Sequence, residues 1–290
     1  MNWRAAIPNS LTLSNLVCGC LGIIAAFEAE MLWSTAFILL AAIFDFFDGM
    51  VARLLKVSGE LGKQLDSLAD AVTFGVLPGI LLYQWISIGF GDYFTPFFER
   101  PLDHQILEGL GLLVAVFSVL RLAIFNIDER QSDVFIGVPT PANAILISSF
   151  SIIMATQYGL NFYNPLDTDE AMSALVQLHY WWQPYDFHLI LLLWNPWFHI
   201  VLAIVSSILL VAPFPLLNFK FKNLKWEGPN KARIIFIGLV FLALIMTWLP
   251  YQSWFRVPYY PYFDYTIIPI IILLYIIYSL IIHLVNKARQ

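Results

Sequence analysis

Apolar residues run along this chain in eight long blocks separated by short polar or Gly/Pro-containing stretches, near residues 12–32, 33–53, 67–89, 106–127, 138–159, 189–212, 232–249 and 266–285. A helix needs roughly 20 apolar residues to cross a hydrocarbon core, and each block is close to that length. Backbone groups in lipid must pair within their own segment, and the alternating pattern of a membrane barrel does not occur here. The pattern therefore predicts an all-α integral membrane protein of about eight spans. The first block has the position of a signal peptide, but no small-residue cleavage site follows it. Asn9, Thr12, Ser14 and Asn15 also interrupt its start, so we read it as a retained span. Residues 1–11, with Trp3, Arg4 and Ile7, suit a short amphipathic helix along the interface.

Composition sharpens this picture. Hydrophobic residues make up 60% of the 290 positions and charged residues 12%, with a mean hydropathy of +0.75; soluble chains carry about 25% charged residues. No repeat, low-complexity linker or soluble domain is visible, and no nucleic-acid partner is expected. With the N-terminus placed in the cytoplasm, eight spans leave only Arg100 and Arg256 of the 15 Lys and Arg residues on the far side, as the positive-inside bias requires. Both termini then face the cytoplasm. The far-side loop 160–188 carries Asp167, Asp169, Glu170 and the aromatics His179, Tyr180, Trp181 and Trp182, which suit an interfacial belt. The loop 218–233, with Lys220, Lys222, Lys225, Lys231 and Arg233, suits attraction to anionic headgroups. Cys18 and Cys20 sit two apart on one helix and point in different directions, which suits neither a disulfide nor a metal pair. None of the five histidines falls near the acidic residues considered next.

The chemistry concentrates in FDFFDGMVARLLKVSGELGKQLDSLADAVTFG, residues 44–75. Asp45 and Asp48 are three apart and Asp66 and Asp70 four apart, so each pair projects from one helix face. Gly59 and Gly62 permit a turn that folds the second and third spans into an antiparallel hairpin. Four carboxylates then meet at one cytoplasmic mouth, where unpaired they repel one another. Three readings compete: a salt-bridge network with Arg53, Lys56 and Lys63, a path for a transported proton or cation, and a cage of hard oxygen ligands for Mg²⁺ or Mn²⁺. A cage of two ions would neutralise the acids and clamp a diphosphate.

Written by spacing, the stretch is Asp45-x2-Asp48-Gly49-x2-Ala52-Arg53-x8-Gly62-x3-Asp66-x3-Asp70. At every fixed position it resembles the signature of the CDP-alcohol phosphotransferases; a chance match at all of them is on the order of 10⁻⁷ or rarer. The resemblance implies a six-helix membrane core, usually a homodimer, holding two divalent ions above a lipid-accessible groove. It assigns Asp45, Asp48, Asp66 and Asp70 to the metal, Asp70 also to the role of general base, and Gly49, Ala52 and Arg53 to the CDP part of the donor. The residue types agree with those roles. Gly49 and Ala52 lack bulk, so a nucleotide can approach the backbone, and Arg53 offers a cationic fork for phosphate oxygens. Residues 1–215 would form the core, and 216–290 a basic cytoplasmic link with two additional transmembrane helices, lipid-facing or in contact with another subunit.

The motif fixes the donor class and leaves the acceptor alcohol open. The blocks IPNSLTLSNLVCGCLGI, SLADAVTFGVLP, RLAIFNI and GVPTPANA resemble the CDP-diacylglycerol–serine O-phosphatidyltransferases within that family, over roughly residues 5–215. Charge gives a second argument. Glycerol phosphate or inositol phosphate would need several basic partners, whereas Arg121 is nearly the only cation near the cytoplasmic end of the fourth span, and one guanidinium suits the carboxylate of L-serine. Arg121 could equally pair with an acid. Asn126, Thr140 and Asn143 are candidates for further hydrogen bonds, or for helix caps. The resemblance thus implies transfer of a phosphatidyl group from CDP-diacylglycerol at a bacterial inner membrane.

Overall fold

A computed structural model describes residues 3–57, 59–127, 135–157, 184–217, 229–248 and 265–288. Each apolar block appears as helix: α1 Trp3–Phe27, α2 Met31–Leu55, α3 Glu60–Phe90, α4 Leu102–Ile127, α5 Thr140–Ile152 with a π turn Ile153–Gln157, α6 Pro184–Trp194, α7 Pro196–Val211, α8 Pro229–Trp248 and α9 Ile267–Ala288. Five of these, α1, α2, α3, α4 and α9, are long and apolar enough to cross a membrane. A sixth span results if α6 and α7, bent by 69° at Asn195, count together; α5 is shorter. The protein is thus an all-α integral membrane protein whose eight apolar blocks include fewer straight spans than their lengths suggest. The Lys220, Lys222 and Lys225 link, the Asp167 to Trp182 stretch, Arg130, Arg256 and Arg289 lie outside the described residues.

Three local outcomes differ from expectation, each for a physical reason. Residues from Trp3 onward continue without a break into the first span, because Pro8 sits inside a helix whose buried face already runs Pro8, Thr12, Asn15, Cys18, Gly22 and Ala25 at helical spacing. The hairpin between α2 and α3 turns at Lys56, with φ 54 in the left-handed region, whose N–H reaches the carbonyls of Ala52 and Arg53. Gly59 is merely extended and Gly62 lies within α3, where a methyl group would meet Asn9 Oδ1 at 3.6 Å. The bend at Asn195 arises because Pro196 cannot continue a helix, while the Asn195 side chain accepts the Trp197 N–H at 2.9 Å and starts a new one. His199, buried and stacked on Trp85 at 5.6 Å, donates to the Leu193 carbonyl at 2.7 Å and ties the two halves together.

α3 is the axis of the bundle. Its apolar window is 78% buried, against 39% for α1 and 22% for α2. Phe74, Leu77, Leu81, Leu82 and Trp85 from α3 fill the core with Ile38 of α2 and Ile147 of α5. α1 approaches it closely through glycine: a Cβ on Gly19 would strike Thr73, and one on Gly22 would strike Leu77. Gly75 brings α4 equally near, a Cβ there meeting Ser118 at 3.0 Å. These contacts grip α3 along the π turn Ala71–Val76 that immediately follows Asp70. The π turn separates the opening three turns, which carry Asp66 and Asp70, from the stretch that fills the core. Away from this axis, α1, α2, α4, α7 and α9 expose Leu, Ile, Val and Phe side chains, as helices in lipid do.

Candidate active site

Near the C-terminal end of α2, Asp45 and Asp48 project toward Asp66 on the opening turns of α3, and oxygen atoms of the three lie within 4.8 Å of one another. Around a cation with about 2.1 Å oxygen bonds in octahedral geometry, opposite ligands stand about 4.2 Å apart. The spread of the three oxygens is close to that span, and the donors, hard carboxylate oxygens, are those Mg²⁺ and Mn²⁺ prefer. Asp70, one turn beyond Asp66, completes the group within electrostatic reach of Asp45, Asp66 and Asp48. Asp48 and Asp70 are buried, whereas Asp45 and Asp66 are partly exposed, so the group opens on one side.

No described basic side chain forms an ion pair with these acids. Lys63 donates to the Asn126 carbonyl at 2.8 Å, and Arg53 and Lys56 are exposed. The ion pairs among the described residues, Arg100 with Glu108 and His104 with Asp92, lie elsewhere. A salt-bridge network therefore does not account for the acids.

Two polar residues of α1 hold the carboxylates. The Thr12 hydroxyl donates to Asp48 Oδ2. The Asn15 amide donates to Asp70 Oδ1 at 3.0 Å, and the Asn15 backbone carbonyl accepts from Thr73 Oγ1 at 3.1 Å. In the sequence these residues read as polar interruptions of an apolar run, within the block IPNSLTLSNLVCGCLGI and with no role of their own. Their separation of three, on the face that also carries Gly19 and Gly22, was the available sign that they face the acids rather than lipid.

Gly49 and Ala52 follow Asp48 along α2, and a methyl group on Gly49 would meet nothing within 4 Å. Open space thus lies beside the acids at Gly49, and Arg53, one turn further along α2, is exposed.

On the other side stands Arg121 of α4, buried, within electrostatic reach of Asp70 and of Tyr275 on α9. Its guanidinium lies 5.9 Å from the Phe125 ring centroid, and its Nε has no hydrogen-bond partner. Thr140 and Asn143 at the start of α5 are also buried, with Thr140 Oγ1 and Asn143 Nδ2 unpartnered. Neither caps the helix: Pro139 occupies the capping position and no side chain closes it. Asn126 has another task, its amide donating to Ser67 Oγ at 2.8 Å and so joining α4 to α3. A cavity of about 520 Å³ lined by Phe27, Tyr83, Tyr93, Phe97 and Arg100 lies beyond the far end of α1, remote from the acids.

The model of the CDP-alcohol phosphatidyltransferase family matches residues 5–183. The chain is 36% identical over 151 residues to the CDP-diacylglycerol–serine O-phosphatidyltransferase of Bacillus subtilis, covering 50% of this chain and 76% of that protein. It is 34% identical over 142 residues to the enzyme of that name from Helicobacter pylori strain J99, covering 48% of this chain and 54% of that one. It is 32% identical over 174 residues to the archaetidylserine synthase of Methanothermobacter thermautotrophicus, covering 59% and 65%. The chain thus spans about half the length of the Helicobacter relative and about three quarters of the Bacillus one.

Proposed function

The chain belongs to the CDP-alcohol phosphatidyltransferase family, and from that premise we propose that it transfers the phosphatidyl group of CDP-diacylglycerol to the hydroxyl of L-serine, giving phosphatidylserine and CMP. The observation that carries the chemistry is the convergence of Asp45, Asp48 and Asp66 beside Asp70, with none of them in an ion pair with a described basic side chain. What supports serine as acceptor is the single buried guanidinium of Arg121 next to Asp70, together with the names of the relatives.

In this mechanism Gly49 and Ala52 admit the cytidine diphosphate head against the backbone of α2, and Arg53 pairs with its phosphate oxygens. The acyl chains remain in lipid. Asp45, Asp48, Asp66 and Asp70 would hold two ions, Mg²⁺ or Mn²⁺; bound there, the metal supplies charge stabilisation to the phosphoryl oxygens and the leaving group. Arg121 receives the serine carboxylate, with Thr140 as a further hydrogen-bonding partner, and so aims the serine hydroxyl at phosphorus. Asp70 accepts the hydroxyl proton as the new O–P bond forms and the bond to CMP breaks. Direct displacement needs no nucleophile from the protein; Ser67, the hydroxyl residue between Asp66 and Asp70, is already engaged by the Asn126 amide. The enzyme works as a homodimer in a bacterial inner membrane, with both termini and the acids facing the cytoplasm. Residues 1–215 form its catalytic core, and 216–290 add the basic link and two helices.

The test is CMP release from CDP-diacylglycerol by purified protein with Mn²⁺ or Mg²⁺, comparing serine, glycerol phosphate and inositol as acceptors, with Asp70→Asn as control. Serine-dependent release lost in the variant is the expected result. Release with another acceptor would keep the donor chemistry and remove the assignment of Arg121. No release with any acceptor would overturn the proposal.

A further inference from the structure

α9 lies beyond the family-matched residues 5–183, and its sequence IIPIIILLYIIYSLIIHLVNKA is almost wholly apolar. Two of its few polar side chains nevertheless converge on one backbone unit. The Tyr275 hydroxyl donates to the Leu217 carbonyl at 3.0 Å, and the Leu217 N–H donates to Ser279 Oγ at 3.1 Å. Ser279 in turn donates to the Tyr275 carbonyl at 2.7 Å, which fixes its rotamer. Both backbone groups of Leu217 are thus satisfied by one turn of α9, in surroundings where an unpaired amide is costly.

Leu217 directly follows β2, Pro215–Leu216, which pairs antiparallel with β1, Phe135–Ile136. That two-residue ladder continues into the entry of α5: the Gly137 N–H donates to Phe214 O at 3.1 Å and the Val138 N–H to Leu209 O at 3.0 Å. Gly137 has φ +73, and a Cβ there would strike the Leu210 carbonyl, so the path is tightly fixed. Three residues later stands Thr140, and then Asn143, the buried residues with unpartnered Oγ1 and Nδ2. Tyr275 packs against the buried cluster of Val138, Leu216 and Ile276, as Ala142 of α5 also does, and its hydroxyl lies within electrostatic reach of Arg121. Tyr275 therefore touches the segment that carries Thr140 and faces the arginine assigned to the acceptor.

We infer that α9 is the positioning element for the acceptor side of the site: Tyr275 and Ser279 fasten Leu217, and through the β1–β2 pair they set the entry of α5 and the surroundings of Arg121. This rests on the assignment of Arg121 and Thr140 to the acceptor. A helix outside the shared family region then tunes which alcohol is used, while the acid motif fixes the donor.

The test is steady-state kinetics of the full chain carrying Tyr275→Phe or Ser279→Ala, with serine and CDP-diacylglycerol varied in turn. Tyr275→Phe keeps the ring in its apolar cluster and removes one hydrogen bond, so KM for serine should rise about three- to tenfold. KM for CDP-diacylglycerol and the Mn²⁺ dependence should not move. Ser279→Ala, which leaves the ring untouched, should shift the same constant in the same direction. An unchanged serine KM in both variants would overturn the inference, as would parallel changes in both substrate constants, the mark of a merely structural role. Absence of serine-dependent release by the unmodified chain would instead remove the acceptor assignment, and the inference with it.

Discussion

Replacing Asn15 by Leu separates what the first helix contributes to folding from what it contributes to chemistry. The Asn15 amide donates to Asp70 Oδ1 at 3.0 Å, while its own Oδ1 is buried and has no partner. Leucine keeps the branched shape of the side chain, with methyl groups larger than the amide's oxygen and nitrogen, beside α3. The change deletes one hydrogen bond to a carboxylate, worth about 1.5–3 kcal/mol, and also deletes a buried unsatisfied oxygen whose cost is about 1–3 kcal/mol. The two terms oppose each other in folding, so the thermal midpoint in detergent should move by only a few degrees. They do not oppose each other in catalysis. A base that has lost its fixed donor must be oriented anew in each turnover, and the full strength of the bond corresponds to about a ten- to hundredfold fall in kcat. The assay is serine-dependent CMP release at saturating substrates and Mn²⁺, with the melting curve recorded on the same preparation. A kcat within twofold of the unmodified chain, at unchanged stability, would refute the claim that Asn15 holds Asp70 for its work. A collapse of the melting curve would instead show that the amide is mainly structural.

Thr12→Val removes the donor to Asp48 while keeping shape; Mn²⁺ affinity, read by electron paramagnetic resonance, should weaken about 10–100-fold as for other residues that orient metal ligands. Gly19→Ala and Gly49→Leu should separate packing from binding. The first drives a methyl group into Thr73 and should cost about 1–3 kcal/mol of stability, whereas at Gly49 a Cβ meets nothing within 4 Å, so the second should spare stability but raise KM for CDP-diacylglycerol about tenfold or more. Arg121→Lys keeps the charge and loses the planar fork, so KM for serine should rise about tenfold with KM for CDP-diacylglycerol unchanged; equal effects on both would assign Arg121 to Asp70 instead.

The acid motif was legible because its meaning lies in local spacing. Offsets of three and four on a helix place Asp45 with Asp48 and Asp66 with Asp70 whatever the rest of the chain does, and the structure brings the pairs together. The apolar blocks were legible for the same reason. Features that depend on partners far along the chain were not. Thr12 and Asn15 acquire their roles from acids 36 and 55 residues away, and in a single sequence they look like blemishes in a span. The turn at Lys56 was assigned to glycine because glycine is the usual occupant of positive φ, yet a C-cap that satisfies two carbonyls supports a lysine there. The bend at Asn195-Pro196 was written in the sequence, but the apolar residues on both sides masked it within one block. The partnership of Leu217 with Tyr275 and Ser279 spans about sixty positions and carries no local signature.

Two buried arginines show how this fold treats a charge that serves structure and one that does not. Arg100 is closely paired: Glu108 at 2.6 Å and Tyr83 and Ser87 at 2.9 Å meet its Nη1, and its Nε donates to the Thr95 carbonyl at 2.8 Å. Burial of an ion is tolerated when the remaining protons are satisfied in this way. Arg121 is buried to the same degree, yet its Nε has no partner and its surroundings are the Phe125 ring, the hydroxyl of Tyr275 and the carboxylate of Asp70 at longer range. The chain can build a closed arginine site and has done so at one position, so an open one of equal burial beside the acids is not a packing defect. An anionic group arriving between Arg121 and the unpartnered Thr140 and Asn143 would remove the desolvation cost that the empty arrangement carries. Under the proposed function that cost would fall only with the acceptor bound, and the buried, incompletely paired cation would then be a source of acceptor selectivity.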